Sequence, residues 1–401
     1  MIGPVMHSRA LAVLGGEPAF AEPLHVGRPN IADRANVLSR LNGVFDRRWL
    51  SNEGPLVLEL EARLASWLGV KHCITVCNGT IGLELTIRAL DLTGEVIVPS
   101  FTFVATAHAL QWQDITPVFC DVRPETHTMD PASVERLITP KTTGIIGVHL
   151  WGQPCDVDAI GALARARGLR VLYDAAHAFG CTHAGRRVGS YGDAEVFSFH
   201  ATKVFNTAEG GAITTNDDEL ARRCRLMRNF GFTDDDRVDY IGINGKMNEL
   251  SAAMGLANLD DIDAFIDANT RNYRAYREGL RGIPGVALVL HAENERRNHH
   301  NVVIHLDPAQ AGLDRDTLRD VLRAENVLVR RYFWPGCHRM EPYRSHFPNA
   351  GLLLPETEHI AARVLSLPTG SAVSASDVAT VCEIIREAVR QADSIAATKR
   401  R

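Results

Sequence analysis

Several signatures are missing from this sequence, and each absence removes a class of function. None of the eight cysteines forms a CxxC pair. Cys73 and Cys77 lie closest together, but the other ligands of a zinc finger are missing near them, so no metal site is expected. No window approaches the roughly 18 uninterrupted apolar residues of a membrane span, and no membrane partner is expected. The first twenty residues lack a charged stretch followed by a sustained apolar run, so we read no signal peptide and expect a cytoplasmic protein. Scattered cysteines in such a chain are expected to be free, buried thiols. No GxGxxG follows an early strand, and there is no GxxxxGK[ST], which removes the usual cradles for a nicotinamide dinucleotide or a nucleoside triphosphate. A serine hydrolase would need a GxSxG elbow, also absent. The formal net charge is -5, so non-specific nucleic-acid binding is not expected, and an anionic ligand must be held by a local cluster of donors. There are no repeats and no low-complexity stretches.

What remains is an ordinary globular composition, 45% hydrophobic and 23% charged, in a chain of 401 residues, long enough for two domains. Residues 1–55, rich in Gly, Pro and Asn, read as irregular. Leu56, Leu60, Leu64 and Trp67/Leu68 then fall on one helical face, and Gly69 is a stop. Short apolar runs follow at Cys73–Val76, Val96–Val98, Pro117–Asp121, Gly144–Leu150, Leu169–Tyr173, Ala194–Phe199 and Gly211–Thr214. Helical segments fit between several of them, at Val104–Trp112, Ala132–Leu137 and Val157–Arg167. Near-continuous apolar strands alternating with helices predict an α/β fold, a mainly parallel seven-stranded sheet covered on both faces. The rhythm changes near residue 247, where a helical pattern runs from Met247 to Arg281. A strand (Asn301–Leu306), a helix (Arg315–Ala324), a strand (Val327–Tyr332) and a helix (Asp377–Ala392) complete the chain, with Thr398–Arg401 expected to fray. This divides into a large domain over 1–255 and a connecting helix with a smaller α/β domain over 256–401.

Three polar clusters sit at ends of predicted strands, where open α/β sheets place ligands. Asn78-Gly79-Thr80 lies between a strand and a helix starting near Ile81. Gly allows close backbone approach, and the helix start offers free N–H groups, which describes a phosphate seat; the same residues also suit a plain turn with Thr as cap. Asp174 is the first polar residue after Leu169–Tyr173. It reads either as the partner of a pyridine nitrogen, favouring the protonated, electron-withdrawing ring, or as a capping or salt-bridged Asp. Lys203, in Ser198-Phe199-His200-Ala201-Thr202-Lys203 ahead of Glu209-Gly210-Gly211, reads either as an amine that forms a Schiff base with an aldehyde or as a surface lysine.

The order of these motifs resembles a known family. NGT, PSFTF (Pro99–Phe103), DAAHAFG (Asp174–Gly180), SFHATK (Ser198–Lys203) and EGG (Glu209–Gly211) are similar to those of the pyridoxal-phosphate aminotransferases of nucleotide-linked ketosugars, the DegT/StrS-like group. WLSNEGP (Trp49–Pro55), VHLWG (Val148–Gly152) and GINGKMNELSAAMGL (Gly242–Leu256) extend the likeness from about Leu24 almost to the C-terminus. The resemblance implies fold type I, the aspartate-aminotransferase type, and a homodimer with active sites at the subunit interface. It implies Lys203 as the lysine that bonds pyridoxal 5'-phosphate and Asp174 as partner of the ring nitrogen. Gly79, Thr80 and Ser198 match phosphate-binding positions. Phe103 matches an aromatic stacked on the ring, His177 a residue near its phenolic oxygen, and Asn244 one reaching the neighbouring subunit's phosphate.

Departures accompany the likeness. Gly245 and Lys246 stand where the family often has Tyr and Arg, and Ala208 where it has Gly. Together with LHVGRPN (Leu24–Asn30) and RRYFWPGCHR (Arg330–Arg339), the NGKM version resembles the branch that aminates carbon 4 of dTDP-4-keto-6-deoxyglucose, with L-glutamate as donor in a ping-pong cycle. Arg28, Lys246, Arg330, Arg331, His338 and Arg339 are candidates for holding the nucleotide diphosphate. Amination of a 3-ketosugar or keto-inositol stays open, as does a non-catalytic, cofactor-binding regulator. A dehydratase of the same family carries His at the lysine position, which Lys203 argues against.

Overall fold

A computed structural model describes residues 10–399. The first long helix, α1 (Arg34–Arg47), lies inside the stretch read as irregular. Asp33 caps it by accepting the N–H of Asn36, and of its residues only Val44 is fully buried, which leaves little periodic signal. α2 (Pro55–Leu68) begins on Pro55 and ends at Gly69, whose φ of 72° is the left-handed conformation that suits glycine. It buries Leu56, Leu60, Leu64 and Leu68, the face its spacing predicts.

Beyond α2 come β1 (His72–Val76), α3 (Gly79–Ala89), β2 (Glu95–Pro99), α4 (Ala105–Gln111), β3 (Thr116–Cys120), α5 (Pro131–Leu137), β4 (Thr142–Val148), α6 (Val157–Arg167), β5 (Arg170–Asp174), β6 (Ala194–Ser198), β7 (Gly211–Thr215) and α7 (Asp218–Arg228). All seven expected strands form, in one sheet of order β1-β7-β6-β5-β4-β2-β3. Every neighbouring pair is parallel except that β7 runs antiparallel to both β1 and β6. That reversal has a functional consequence. The segment joining β6 to β7 never crosses the sheet, so Lys203 stays at the edge where β6 ends and β7 begins. The C-terminal ends of β1, β2, β5 and β6 converge on this same edge.

The later part holds α8 (Glu249–Asp260) and α9 (Ile262–Gly279), which divide the long helical pattern at Asp261. An antiparallel sheet of β8 (Val286–Leu288), β9 (Val302–Leu306) and β10 (Val364–Leu367) follows, with α10 (Arg315–Ala324) and α11 (Ala375–Arg390). The sequence reading did not single out β10. The strand expected over Val327–Tyr332 contracts to Val327–Leu328, which pairs with Leu24–His25, and the segment meets the small sheet only through a single bridge from Arg330 to Ser366. Leu11 and Leu24 share a core with Val302, Ile304, Leu318, Val381 and Ile385, so the first residues described pack on the later half of the chain. The tail expectation is corrected in part: the last helix reaches Lys399, and Arg400 and Arg401 lie outside the described residues. Seven cysteines are buried and free as expected; Cys77, at the end of β1, is only half-buried. Among the described residues no helix is long and apolar enough to cross a membrane.

The face of α2 turned toward β1 carries a charge inside the core. Glu61 accepts from the N–H and hydroxyl of Thr75 at 2.9 and 3.0 Å, from Arg225 at 2.6 Å and from Arg228 at 2.5 Å. Arg228, only 1% exposed, also reaches Glu53 at 2.6 Å. Burial alone pushes the Glu61 carboxyl up, but the two guanidiniums outweigh it and hold the group below its ordinary 4.5. Glu61→Ala takes the inner carboxylate from Arg225 and Arg228, leaving the buried Arg228 only the half-exposed Glu53 as counter-charge, and is expected to cost up to about 3–5 kcal/mol in denaturant unfolding. In the wild type this contribution is present above pH 4.5 and lost as pH falls through the lower folded value.

Candidate active site

The edge of the large sheet is packed tightly by glycine. A Cβ on Gly79 would lie 3.1 Å from the Cβ of Ser198, and one on Gly211 only 2.8 Å from the Gly79 nitrogen. The absence of side chains therefore draws the start of α3 onto the ends of β6 and β7. Asn78, not Thr80, is the cap: its side chain accepts the Ile81 N–H at 2.9 Å. The helix starts two residues earlier than the sequence suggests. The N–H groups of Gly79 and Thr80 are thus first-turn donors without intrahelical partners, grouped with the Thr80 and Ser198 hydroxyls at a positive helix end.

Asp174 ends β5 and is buried. One carboxylate oxygen accepts the Ala176 N–H at 3.0 Å and the other the Thr106 hydroxyl at 2.9 Å. Burial still pushes its pKa up against these donors and the nearby Lys203 charge. Such a carboxylate is poised to gain from a cation placed against it. Lys203 is half-buried in the β6–β7 segment, its backbone N–H on the carbonyl of His200 at 2.9 Å. Burial draws its amine down to about 8, with Asp174 opposing the shift. A usable fraction is therefore unprotonated near neutrality.

A cluster of rings stands beside these groups. His177 stacks on Trp151 and Phe333 with centroids 5.8 and 5.9 Å away. Burial, then the charges of Lys203 and His300, hold its imidazole neutral. Its Nδ1 is buried with no hydrogen-bond partner among the described residues, so the site has an unmet polar group. Phe103 is 58% exposed although it borders the same cluster through Phe333, leaving a bare aromatic face.

The remaining candidates separate by what they contact. Asn244 is exposed and Arg28 and Arg330 extend to solvent. Lys246 donates to Asn229 at 2.9 Å and sits over the Phe230 ring, while its loop neighbour Gly245 accepts the Cys77 N–H at 2.8 Å, beside the α3 start. Arg331 is paired with Asp316 at 3.0 Å. His338 is corrected, and Arg339 shares its partner. His338 is buried with Nδ1 2.7 Å from the Ser100 hydroxyl and Nε2 2.8 Å from Glu358, which also takes Arg339 at 2.6 Å. The His338 ring is fully engaged, whereas Arg339 bonds through Nε alone and stays half-exposed.

The sequence reading missed several residues. Thr106 orients Asp174. His300 faces His177 at 6.2 Å, and burial, then the Lys203 charge, lower its pKa to about 3. Asn298 donates to the carbonyls of His177 and Phe179 at 2.8 and 3.0 Å and accepts the His300 N–H at 3.0 Å, tying the loop after β5 to the approach to β9. Only the spacing of Asn298 and His300 ahead of the β9 run could have marked them.

Fold and site together define an aminotransferase of the aspartate-aminotransferase type. The chain belongs to the DegT/DnrJ/EryC1/StrS aminotransferase family, whose sequence pattern matches residues 32–386. It is 37% identical to the dTDP-4-amino-4,6-dideoxy-D-glucose transaminase of Shigella dysenteriae, over 91% of this chain and 99% of that one. Identity to the GDP-perosamine synthase of Caulobacter vibrioides is also 37%, over 83% and 90%. The crystal structure of DesI, determined in the presence of its TDP-sugar product, superposes with a TM-score of 0.93 at 49% identity, covering 98% of this chain and 99% of that one.

Proposed function

We propose that this chain is a pyridoxal-phosphate enzyme that moves an amino group from L-glutamate to dTDP-4-keto-6-deoxyglucose, giving dTDP-4-amino-4,6-dideoxyglucose. The observation that carries the reading is the Lys203 amine, drawn down to about 8, at a sheet edge shared with the buried Asp174 carboxylate and the free start of α3. These residues fit the cofactor. The N–H groups of Gly79 and Thr80, with the Thr80 and Ser198 hydroxyls, would take its phosphate. Phe103 would cover one ring face, and His177 would turn its unmet nitrogen to the phenolic oxygen. Asp174 would hold a proton on the ring nitrogen.

When bound, pyridoxal phosphate supplies an electron-withdrawing ring that accepts the electron pair left as the substrate carbon loses its proton. Lys203 Nζ would take that proton as a general base and return it as a general acid. The ketosugar half-cycle runs the same transfers in the opposite direction. The exposed Arg28 and Arg330, with Lys246 once released from Asn229, would meet a nucleotide diphosphate. In a homodimer, Asn244 of one subunit would reach the phosphate site of the other. We place this chemistry in the cytoplasm.

An absorption series tests the reading. Protein mixed with pyridoxal phosphate is expected to develop a visible band that glutamate bleaches and dTDP-4-keto-6-deoxyglucose restores. The GDP-linked 4-ketosugar is expected to restore it far more slowly. Faster recovery with the GDP sugar would move the assignment to the other nucleotide, and a band that glutamate leaves unchanged would remove glutamate as donor.

A further inference from the structure

The loop that carries Lys203 is held by buried asparagines from distant parts of the chain. Asn30, in the extended segment ahead of α1, donates its amide to the carbonyl of Val204, the residue after Lys203, at 3.1 Å. Asn206 donates to the Asn30 carbonyl at 2.9 Å. Asn258 of α8 donates to the Asn206 carbonyl at 2.8 Å and accepts the Ala32 N–H at 2.9 Å, which closes a ring of contacts. The remaining side-chain oxygen of Asn30 accepts the hydroxyl and N–H of Ser371 at 2.8 and 3.2 Å, from the segment after β10. Gly27 presses on the same loop, since a Cβ there would sit 3.0 Å from the Cβ of Thr202.

All three asparagines are at most 3% exposed. Burying an amide costs free energy unless it is hydrogen-bonded, and a small apolar residue would fill such a position without that demand. A network whose members are all engaged makes its backbone rigid. Here the backbone made rigid is the one next to the reactive lysine.

We propose that Asn30 is a positioning residue for Lys203, coupling the lysine loop to the Ser371 segment of the smaller sheet through one side chain. The proposal rests on reading Lys203 as the reactive amine. The groups whose charge Lys203 shares are Asp174, His177 and His300, and none of them touches Asn30. Loosening the strap therefore changes the hydration of the amine and leaves its charged neighbours in place.

The test is competitive acylation of the cofactor-free protein across a pH series, read by mass spectrometry on the Lys203 peptide. The wild-type midpoint is expected near 8. In Asn30→Ala and in the neutral, similarly sized Asn30→Leu it is expected to rise toward the ordinary 10.5 by about one pH unit or more. Ser371→Ala, a smaller cut that removes one donor to Asn30, is expected to shift it less in the same direction. With cofactor bound, kcat is expected to fall while KM for glutamate changes little. Asn36→Ala, which cuts a surface contact to Asp260 on the neighbouring helix, is the control and should leave the midpoint unchanged. A folded Asn30 variant, or Ser371→Ala if neither folds, with the wild-type midpoint overturns the proposal even if its melting temperature has dropped. Because acylation needs no cofactor, a shifted midpoint in a protein that binds no pyridoxal phosphate sinks the functional reading alone.

Discussion

Lys203→Ala is expected to slow both half-reactions by at least about 10²–10⁴-fold, the contribution of a positioned general acid–base group. The loss should be equal in the two halves, because one amine moves the proton in each. The fold should survive. The loop keeps its backbone bonds, from the Lys203 N–H to His200 and from Asn30 to Val204. Stability at neutral pH is expected to rise slightly, and the sign follows from the lysine's position. Its folded pKa of about 8 lies below the ordinary 10.5, so the fold disfavours the charged form, and this cost is fully present below 8. The wild type recovers as pH climbs from 8 to 10.5, and the advantage of the variant should shrink across that window. Single-turnover kinetics with added primary amines completes the test. Partial rescue that strengthens with amine basicity identifies the lost group as a base. A variant that keeps more than about a tenth of the rate would assign the proton transfer elsewhere, with His177 or His300 the nearest alternatives.

The parts of this molecule legible in the sequence are those whose pattern is local. β1 to β7 were found because strands covered on both faces must be apolar along their whole length. α1 and α7 were not, because their buried residues are few among charges: α7 is dense in arginine, and one of its inward residues is Arg228 itself. Strand direction leaves no local trace. Gly211–Thr215 reads like any other strand, yet its antiparallel course is what keeps Lys203 at the active edge. The same division holds in the site. Lys203, Asp174 and Gly79 stand at strand or helix ends, where position alone suggests a role. Thr106, His300 and Asn30 work through partners far along the chain, and an asparagine in a Pro-rich stretch reads as a turn. His338 shows the converse error. A histidine in a basic run suggested a diphosphate contact, whereas Ser100 and Glu358 claim both its ring nitrogens.

Asp174→Asn should separate the electronic part of the reaction from the proton transfer. The substitution is nearly isosteric, so the fold and a lysine-dependent visible band are expected to remain. The charge opposite the ring nitrogen is lost, however. Removing one partner of a buried charge pair costs about 3–5 kcal/mol, which corresponds to a rate loss of about 10²–10⁴-fold if the pair matters in the transition state. The amide brings a second penalty. Both Asp174 oxygens accept hydrogen bonds, from Ala176 and Thr106; an amide nitrogen facing the Ala176 N–H sets donor against donor, and one facing Thr106 requires that hydroxyl to turn and accept. Thr106→Val removes only one of these bonds and should cost less, about 1.5–3 kcal/mol for a bond to a charged group. It should also push the already raised Asp174 pKa further up, so that its activity falls off on the acid side at a higher pH than the wild type's. The two variants are read by the deuterium isotope effect on glutamate deprotonation. If Asp174 supports the carbanion, this step becomes rate-limiting in Asp174→Asn and the isotope effect grows. An unchanged isotope effect with equally slow turnover would instead make Asp174 a structural anchor for the ring and strip it of its electronic role.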